Sequence, residues 1–227
     1  ARRELWKKIN LTEPQLQEFK ESTKKFYYDK TMKRLEEFYN KTQISDEISN
    51  INGVQVPRLK DLMEKIDWNY VYDSVPVRFH GDLQFDNILV TRDEKSHLTK
   101  FVLLDWRQDF GGLAHVGDLY YDLAKLYGGM TISYQLIKNG EFSFDMSGSS
   151  VYYNFHVKND LMEAREEYET FLVKNDFDLK KIKLITALIF LNMAPMHNEP
   201  FNLMLYYLGK NILYKSLKNF ENNKIVK

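Results

Sequence analysis

Three residues near the middle of the chain, Asp82, Asn87 and Asp105, are of the types that phosphoryl transfer uses. This reaction needs a carboxylate that orients the attacking hydroxyl and accepts its proton, and oxygen ligands for the Mg²⁺ on the nucleotide phosphates. The residues therefore predict Asp82 as a catalytic base, with Asn87 and Asp105 as the ligands of Mg²⁺ and the binding residues for ATP.

These residues lie on both sides of a predicted β-hairpin. The runs VPVRFHGDLQFDNILVT and LTKFVLLDW are apolar or β-branched and are separated by the polar RDEKSH, which is typical of two paired strands. Elsewhere apolar residues recur at helical spacing. Predicted helices cover about 13–41, a segment from 57, the segment GDLYYDLAKLYGG, and 157–174, 178–194 and 201–220. The predicted fold is mostly α with a small β-hairpin insert.

In two segments the apolar residues recur at no regular spacing. QISDEISNINGVQV is predicted to be a loop or turn, and YQLIKNGEFSFDMSGSSVYYNFHV an excursion near a site or a surface loop.

Charge and composition exclude several classes of protein. Lys plus Arg and Asp plus Glu each number 32, so no net charge attracts nucleic acid or an anionic membrane. There is no cysteine, and the longest apolar run, about residues 184–194, is too short to cross a bilayer. We expect a soluble, cytoplasmic protein with no nucleic-acid or membrane partner.

Taken together, HGDLQFDNILV, FVLLDW and GDLYYDLAKL resemble the aminoglycoside phosphotransferase and choline kinase family of small-molecule kinases. The interval from Asp82 to Asn87 equals that of the protein-kinase catalytic loop. The resemblance implies an ATP-dependent transfer of the γ-phosphate to a hydroxyl of choline or another amino alcohol, a sugar or an aminoglycoside. It covers residues 1–227 as one helical, kinase-like C-terminal lobe: helices over 1–74, the catalytic loop, hairpin and metal-binding segment over 75–112, and a helical remainder over 113–227.

The resemblance also assigns supporting roles. His80, Asp118 and Asp122 are expected to brace the loop that carries Asp82. In the family the metal aspartate ends the second strand, so Asp105, which follows FVLL, is expected to bind Mg²⁺. Asp109, although followed by Phe-Gly, is expected to be a loop or substrate-side carboxylate.

Residues 1–79 contain no segment that resembles the nucleotide-binding N-terminal lobe of that family. We therefore expect this lobe to be a missing partner and the chain to be an enzyme that is inactive as an isolated fragment. The alternative is a non-catalytic binding or regulatory protein that retains the kinase-like helical lobe. A protein kinase is disfavoured, because no Ala-Pro-Glu follows the metal-binding segment.

Overall fold

A computed structural model describes residues 5–92, 99–107 and 109–224 of the chain. Most of these residues are helical, as the sequence predicts. The long helices are α1 (Glu13–Lys24), α2 (Lys30–Thr42), α5 (Leu119–Thr131), α7 (Asn159–Lys174), α8 (Leu179–Met193) and α9 (Phe201–Lys224), and the short helices are α3 (Leu59–Glu64), α4 (Trp68–Tyr72) and α6 (Tyr134–Lys138). No helix in the described part of the chain is both long and apolar enough to cross a membrane.

The predicted first helix is divided into α1 and α2 by a π-helical turn, Lys25–Asp29. At its start the backbone N–H of Thr12 donates to Oε1 of Gln15 at 2.9 Å, which satisfies a donor that a helix N-terminus leaves without an intrahelical partner. The turn places Phe26 and Tyr27 in the core.

In the described part of the chain, the strands form three small sheets. Their bounds are β1 (Ser49–Ile51), β2 (Val54–Val56), β3 (Pro76–Val77), β4 (Ile88–Arg92), β5 (Thr99–Leu103), β6 (Gly117–Asp118), β7 (Phe142–Ser147) and β8 (Ser150–Phe155). Strands β4 and β5 are the predicted hairpin, with Ile88 opposite Leu103. Most of its predicted polar turn, RDEKSH at residues 92–97, lies outside the described residues.

The prediction of a single β insert is incomplete. Residues predicted as loops form a four-stranded sheet in the order β2-β1-β8-β7, in which β1 and β8 are parallel and the other pairs antiparallel. Strands β1 and β2 have three residues each, too few for an alternating pattern to be recognised. The parallel partner of β1 is β8, about one hundred residues away, so no local signal indicates that pairing.

The core lies around α8, most of which is buried and which packs against α5 and α9. Strands β3 and β6 pair, with Val77 opposite Gly117. This pairing holds the segment that leads to His80 beside the start of α5. The candidate site is built on that junction.

Candidate ligand-binding site

The loop that contains Asp82 is held by a buried carboxylate on α5. The side chain of Asp122 accepts hydrogen bonds from the backbone N–H of His80 at 2.6 Å and of Gly81 at 2.7 Å. It also accepts from Nε1 of Trp6 at 3.0 Å. Asp122 is fully buried, and burial raises the pKa of its carboxyl to about 6 although the three donors act in the opposite direction.

A second buried carboxylate fixes the start of α5. Asp118 caps the helix, accepts from the backbone N–H of Val75 at 2.9 Å, and accepts from the hydroxyl of Tyr27 at 2.7 Å. Burial raises the pKa of Asp118 as well. Asp122 thus contacts the loop directly, whereas the contacts of Asp118 are outside the loop. The predicted bracing roles of His80, Asp118 and Asp122 stay predictions.

We expect the Tyr27→Phe substitution to lower the free energy of unfolding by about 2 kcal/mol. It removes the hydroxyl that donates to a buried carboxylate, and hydrogen bonds to charged groups contribute more than neutral ones. Urea unfolding followed by circular dichroism measures the loss. Tyr152→Phe, at an exposed tyrosine of β8, is the control, and equal losses in the two variants would contradict the role of Tyr27.

Within the loop, Gly81 has a left-handed backbone with φ of +81°. A Cβ at this position would lie 2.4 Å from Cβ of Arg107, so the position requires glycine. The backbone N–H of Arg107 donates to the carbonyl of His80 at 2.8 Å. His80 itself is buried, and its Nδ1 accepts from the backbone N–H of Asp82 at 3.2 Å. The loop and the segment after β5 are therefore packed against each other.

The structure brings Asp82 and Asn87 into contact. Nδ2 of Asn87 donates to the carbonyl oxygen of Asp82 at 2.9 Å and to its Oδ2 at 3.1 Å. On the other side, Nζ of Lys125 lies 2.8 Å from Oδ1 of Asp82. Both carboxylate oxygens of Asp82 thus have partners inside the chain. Sequence reasoning missed Lys125, although its place three residues after Asp122 on α5 puts both side chains on one face of the helix.

A backbone hydrogen bond holds the residue before Asp105 beside Asn87. The N–H of Leu104 donates to the carbonyl of Asn87 at 2.9 Å. Asp105 itself follows β5 and has a left-handed φ of +53°. Among the described residues, no three His, Asp or Glu side chains converge on a metal position. One amide and one exposed carboxylate would hold Mg²⁺ only together with phosphate oxygens of a ligand. The predicted roles of Asn87 and Asp105 stay predictions.

Asp109 lies in a turn. Its Oδ1 accepts from the backbone N–H of Gly112 at 2.8 Å, and Gly111 and Gly112 both have positive φ. The intervening Phe110 is buried against Phe26, with ring centroids 4.3 Å apart. The Asp-Phe-Gly triplet is thus accounted for by turn geometry and core packing.

A polar cleft of about 420 Å³ opens beside Asp82. It lies among the loop, the start of α2, α5, α6 and the end of α8. Five of its side chains are cationic and two are anionic, so positive charge is in excess. The charged residues are Lys30, Arg34, Arg107, Lys125 and Lys138, with Asp82 and Asp86. Sequence reasoning missed this cleft because its cations come from four separate segments.

A cavity larger than the polar cleft, about 950 Å³, is elsewhere. It lies along α1 and α2 beside α3 and α4 and shares no lining residue with the polar cleft. Its walls include Tyr28, Trp68 and Tyr72, and the ring of Trp68 packs edge-on against Tyr28 with centroids 4.9 Å apart. It contains none of the predicted site residues.

Comparison with known proteins yields one family match. Residues 112–188, about a third of the chain, match the model described as phloem filament protein PP1 cystatin-like domain. The matched segment contains α5, α6, β7, β8, α7 and most of α8. No curated protein and no solved structure matches the chain.

This comparison corrects the sequence-based assignment. The segment that includes GDLYYDLAKL matches the model of a cystatin-like domain. The assignment to the aminoglycoside phosphotransferase and choline kinase family is therefore wrong, and so are the predicted function as an ATP-dependent phosphotransferase and its description as a transferase. The motifs that suggested it are short and lie mostly before residue 112, in the loop after β3 and in the hairpin β4–β5.

Proposed function

We propose that the chain is a non-catalytic binding protein whose ligand occupies the polar cleft beside Asp82. The observation that carries the proposal is the ion pair between Lys125 and Asp82, at 2.8 Å, combined with the hydrogen bond from Asn87 to the other oxygen of the same carboxylate.

These contacts hold the carboxylate of Asp82 in one position. The side chain of Lys125 is 11% exposed, so its ion pair with Asp82 is shielded from water. A carboxylate accepts about four hydrogen bonds, so a donor group of a ligand can still reach Asp82, whose side chain is 30% exposed. The pair fixes the shape of one wall of the cleft, which suits recognition of a ligand.

The comparison supports the same reading. The matched family is described as a filament protein with a cystatin-like domain, and this description names no enzyme. A non-enzymatic role agrees with it better than phosphoryl transfer does.

The proposal also describes the fold as a kinase-like helical lobe. The order of elements along the chain supports this description, because a loop with Asp82 and Asn87 is followed by the hairpin β4–β5 and then by Asp105. Four cofactor and partner expectations from the sequence stay predictions: ATP, Mg²⁺, a small-molecule hydroxyl ligand, and a separate nucleotide-binding lobe. The cytoplasmic location also stays a prediction.

We expect the purified chain to produce no ADP from ATP and Mg²⁺ above the buffer background. The test is a coupled ADP assay with a panel of amino alcohols, sugars and aminoglycosides, run on the wild type and on Asp82→Asn. Because Asp82 is a wall of the cleft in this proposal, both proteins should give the same background signal. ADP that forms in proportion to the wild-type protein and is lost in Asp82→Asn would overturn the proposal.

A further inference from the structure

The cleft beside Asp82 contains more cations than the described carboxylates balance. Lys125 pairs with Asp82, and Lys138 lies 3.9 Å from Asp86 with both side chains mostly exposed. Arg34 pairs with Glu37 at 2.8 Å. For Lys30 and Arg107, no described carboxylate lies within ion-pair distance.

Lys30 and Arg107 approach the same aromatic ring. Nζ of Lys30 lies 4.5 Å from the centroid of Phe26, and the guanidinium carbon of Arg107 lies 5.7 Å from it. The guanidinium is also 6.0 Å from the ring of Tyr121, and its Nε donates to the carbonyl of Gly81 at 3.2 Å. Phe26 is buried in the core, so the ring that carries both cations is fixed.

This arrangement places like charges close together in the free chain. Burial, followed by the positive charges of Arg107, Arg34 and Lys125, lowers the pKa of Lys30 to about 8, while Asp109 acts in the opposite direction. Groups that repel one another in the free protein are typical of sites where function is maintained at some cost in stability. An anion between Lys30 and Arg107 would remove that repulsion.

We infer that this cleft binds a small phosphate-bearing anion, held between Lys30 and Arg107. The inference rests on the proposed function, since it names the class of ligand for the same cleft. Arginine matches the oxygens of phosphate with its planar fork, and lysine contributes a compact charge. The volume of about 420 Å³ is that of a site for a small molecule. The two carboxylates of the cleft do not compete, because Asp82 and Asp86 face Lys125 and Lys138.

The direct test is isothermal titration calorimetry of the full chain with inorganic pyrophosphate near neutral pH, with citrate as a carboxylate comparison. We expect pyrophosphate to bind and Lys30→Gln to weaken the binding by about tenfold or more, the usual effect of losing a charge-assisted hydrogen bond. The matched control is Lys33→Gln, one turn away on the exposed side of α2, which should change the affinity less than about twofold.

Thermal melting separates a lost contact from a damaged fold. Lys30→Gln removes a partly buried charge that neighbouring cations repel, so its melting temperature should equal or exceed that of the wild type. The affinity of the wild type for pyrophosphate should fall as the pH rises through about 8, because Lys30 loses its proton there. The affinity of Lys30→Gln should lack this step.

Three outcomes would overturn the inference: no binding of pyrophosphate, tighter binding of citrate than of pyrophosphate, or equal weakening in Lys30→Gln and Lys33→Gln. Each leaves the proposed function standing if the chain binds another ligand without turnover. Formation of ADP in the assay above overturns the proposed function whatever the calorimetry shows, so the two failures are distinguishable.

Discussion

The Asp122→Asn substitution is expected to lower the free energy of unfolding by about 4 kcal/mol. Asp122 accepts from three donors, the backbone N–H groups of His80 and Gly81 and the indole N–H of Trp6. Asparagine has one acceptor oxygen, and its amide group would face at least one of these donors. Each buried donor left without a partner costs about 1–3 kcal/mol, so the loss should be large. Chemical denaturation followed by tryptophan fluorescence measures it.

Two further measurements test the reason for that loss. Asp145→Asn, at an exposed position of β7, should change the stability by less than about 0.5 kcal/mol.

Burial raises the pKa of Asp122 from its ordinary value of 3.8 to about 6. Between these values the folded chain binds a proton that the unfolded chain does not, so the contribution of Asp122 to stability falls as the pH rises from about 4 to about 6. An Asp122→Asn variant that keeps the full pH dependence in this window would contradict the account.

The Gly81→Ala substitution is expected to lower the free energy of unfolding by about 3 kcal/mol or more. A left-handed backbone costs a residue with a Cβ about 1–2 kcal/mol. At Gly81 the added Cβ would also lie 2.4 Å from Cβ of Arg107 and 2.9 Å from the ring of Phe79. Neither atom is the free end of a flexible side chain, so the loop or the segment after β5 must move. Urea unfolding gives the loss.

Gly140→Ala is the matched control for Gly81→Ala. Gly140 has a φ of +77°, nearly that of Gly81, but a Cβ there would meet nothing within 4 Å. The substitution of Gly140 should lower the free energy of unfolding only by the cost of a left-handed backbone, about 1 kcal/mol. The difference between the two variants measures the packing of the loop against Arg107. Equal losses would show that the loop is not tightly packed.

The helices could be predicted from the sequence because their signals are local. Thr12 and Gln15 mark the start of α1, and the apolar run of α8 marks a buried helix. The hairpin β7–β8 was missed although its two alternating runs are joined by Gly148-Ser149, which is a local hairpin signal. The pairing of β1 with that hairpin could not be predicted, since β1 has only three residues and pairs in parallel with β8, about one hundred residues later. The π-helical turn at Lys25–Asp29 likewise has no signal in the helical period.

Part of the site could be predicted from the sequence, because that part is local. His80, Asp82 and Asn87 lie in one short segment and contact one another. Lys30 and Arg107 are far apart in sequence and meet only because the core fixes Phe26 beneath both. The family assignment from these motifs was wrong because a braced loop with an Asp and an Asn does not by itself specify the chemistry of a site.

Phosphorus NMR on one sample of the chain with ATP and Mg²⁺ tests the central claim, binding without turnover, most directly. The account predicts that the phosphate signals of ATP broaden or shift on addition of the wild type, far less so with Lys30→Gln, and that no ADP or phosphomonoester signal develops. Phosphomonoester and ADP signals that grow in proportion to the wild-type protein, and that are absent with Asp82→Asn, would contradict it.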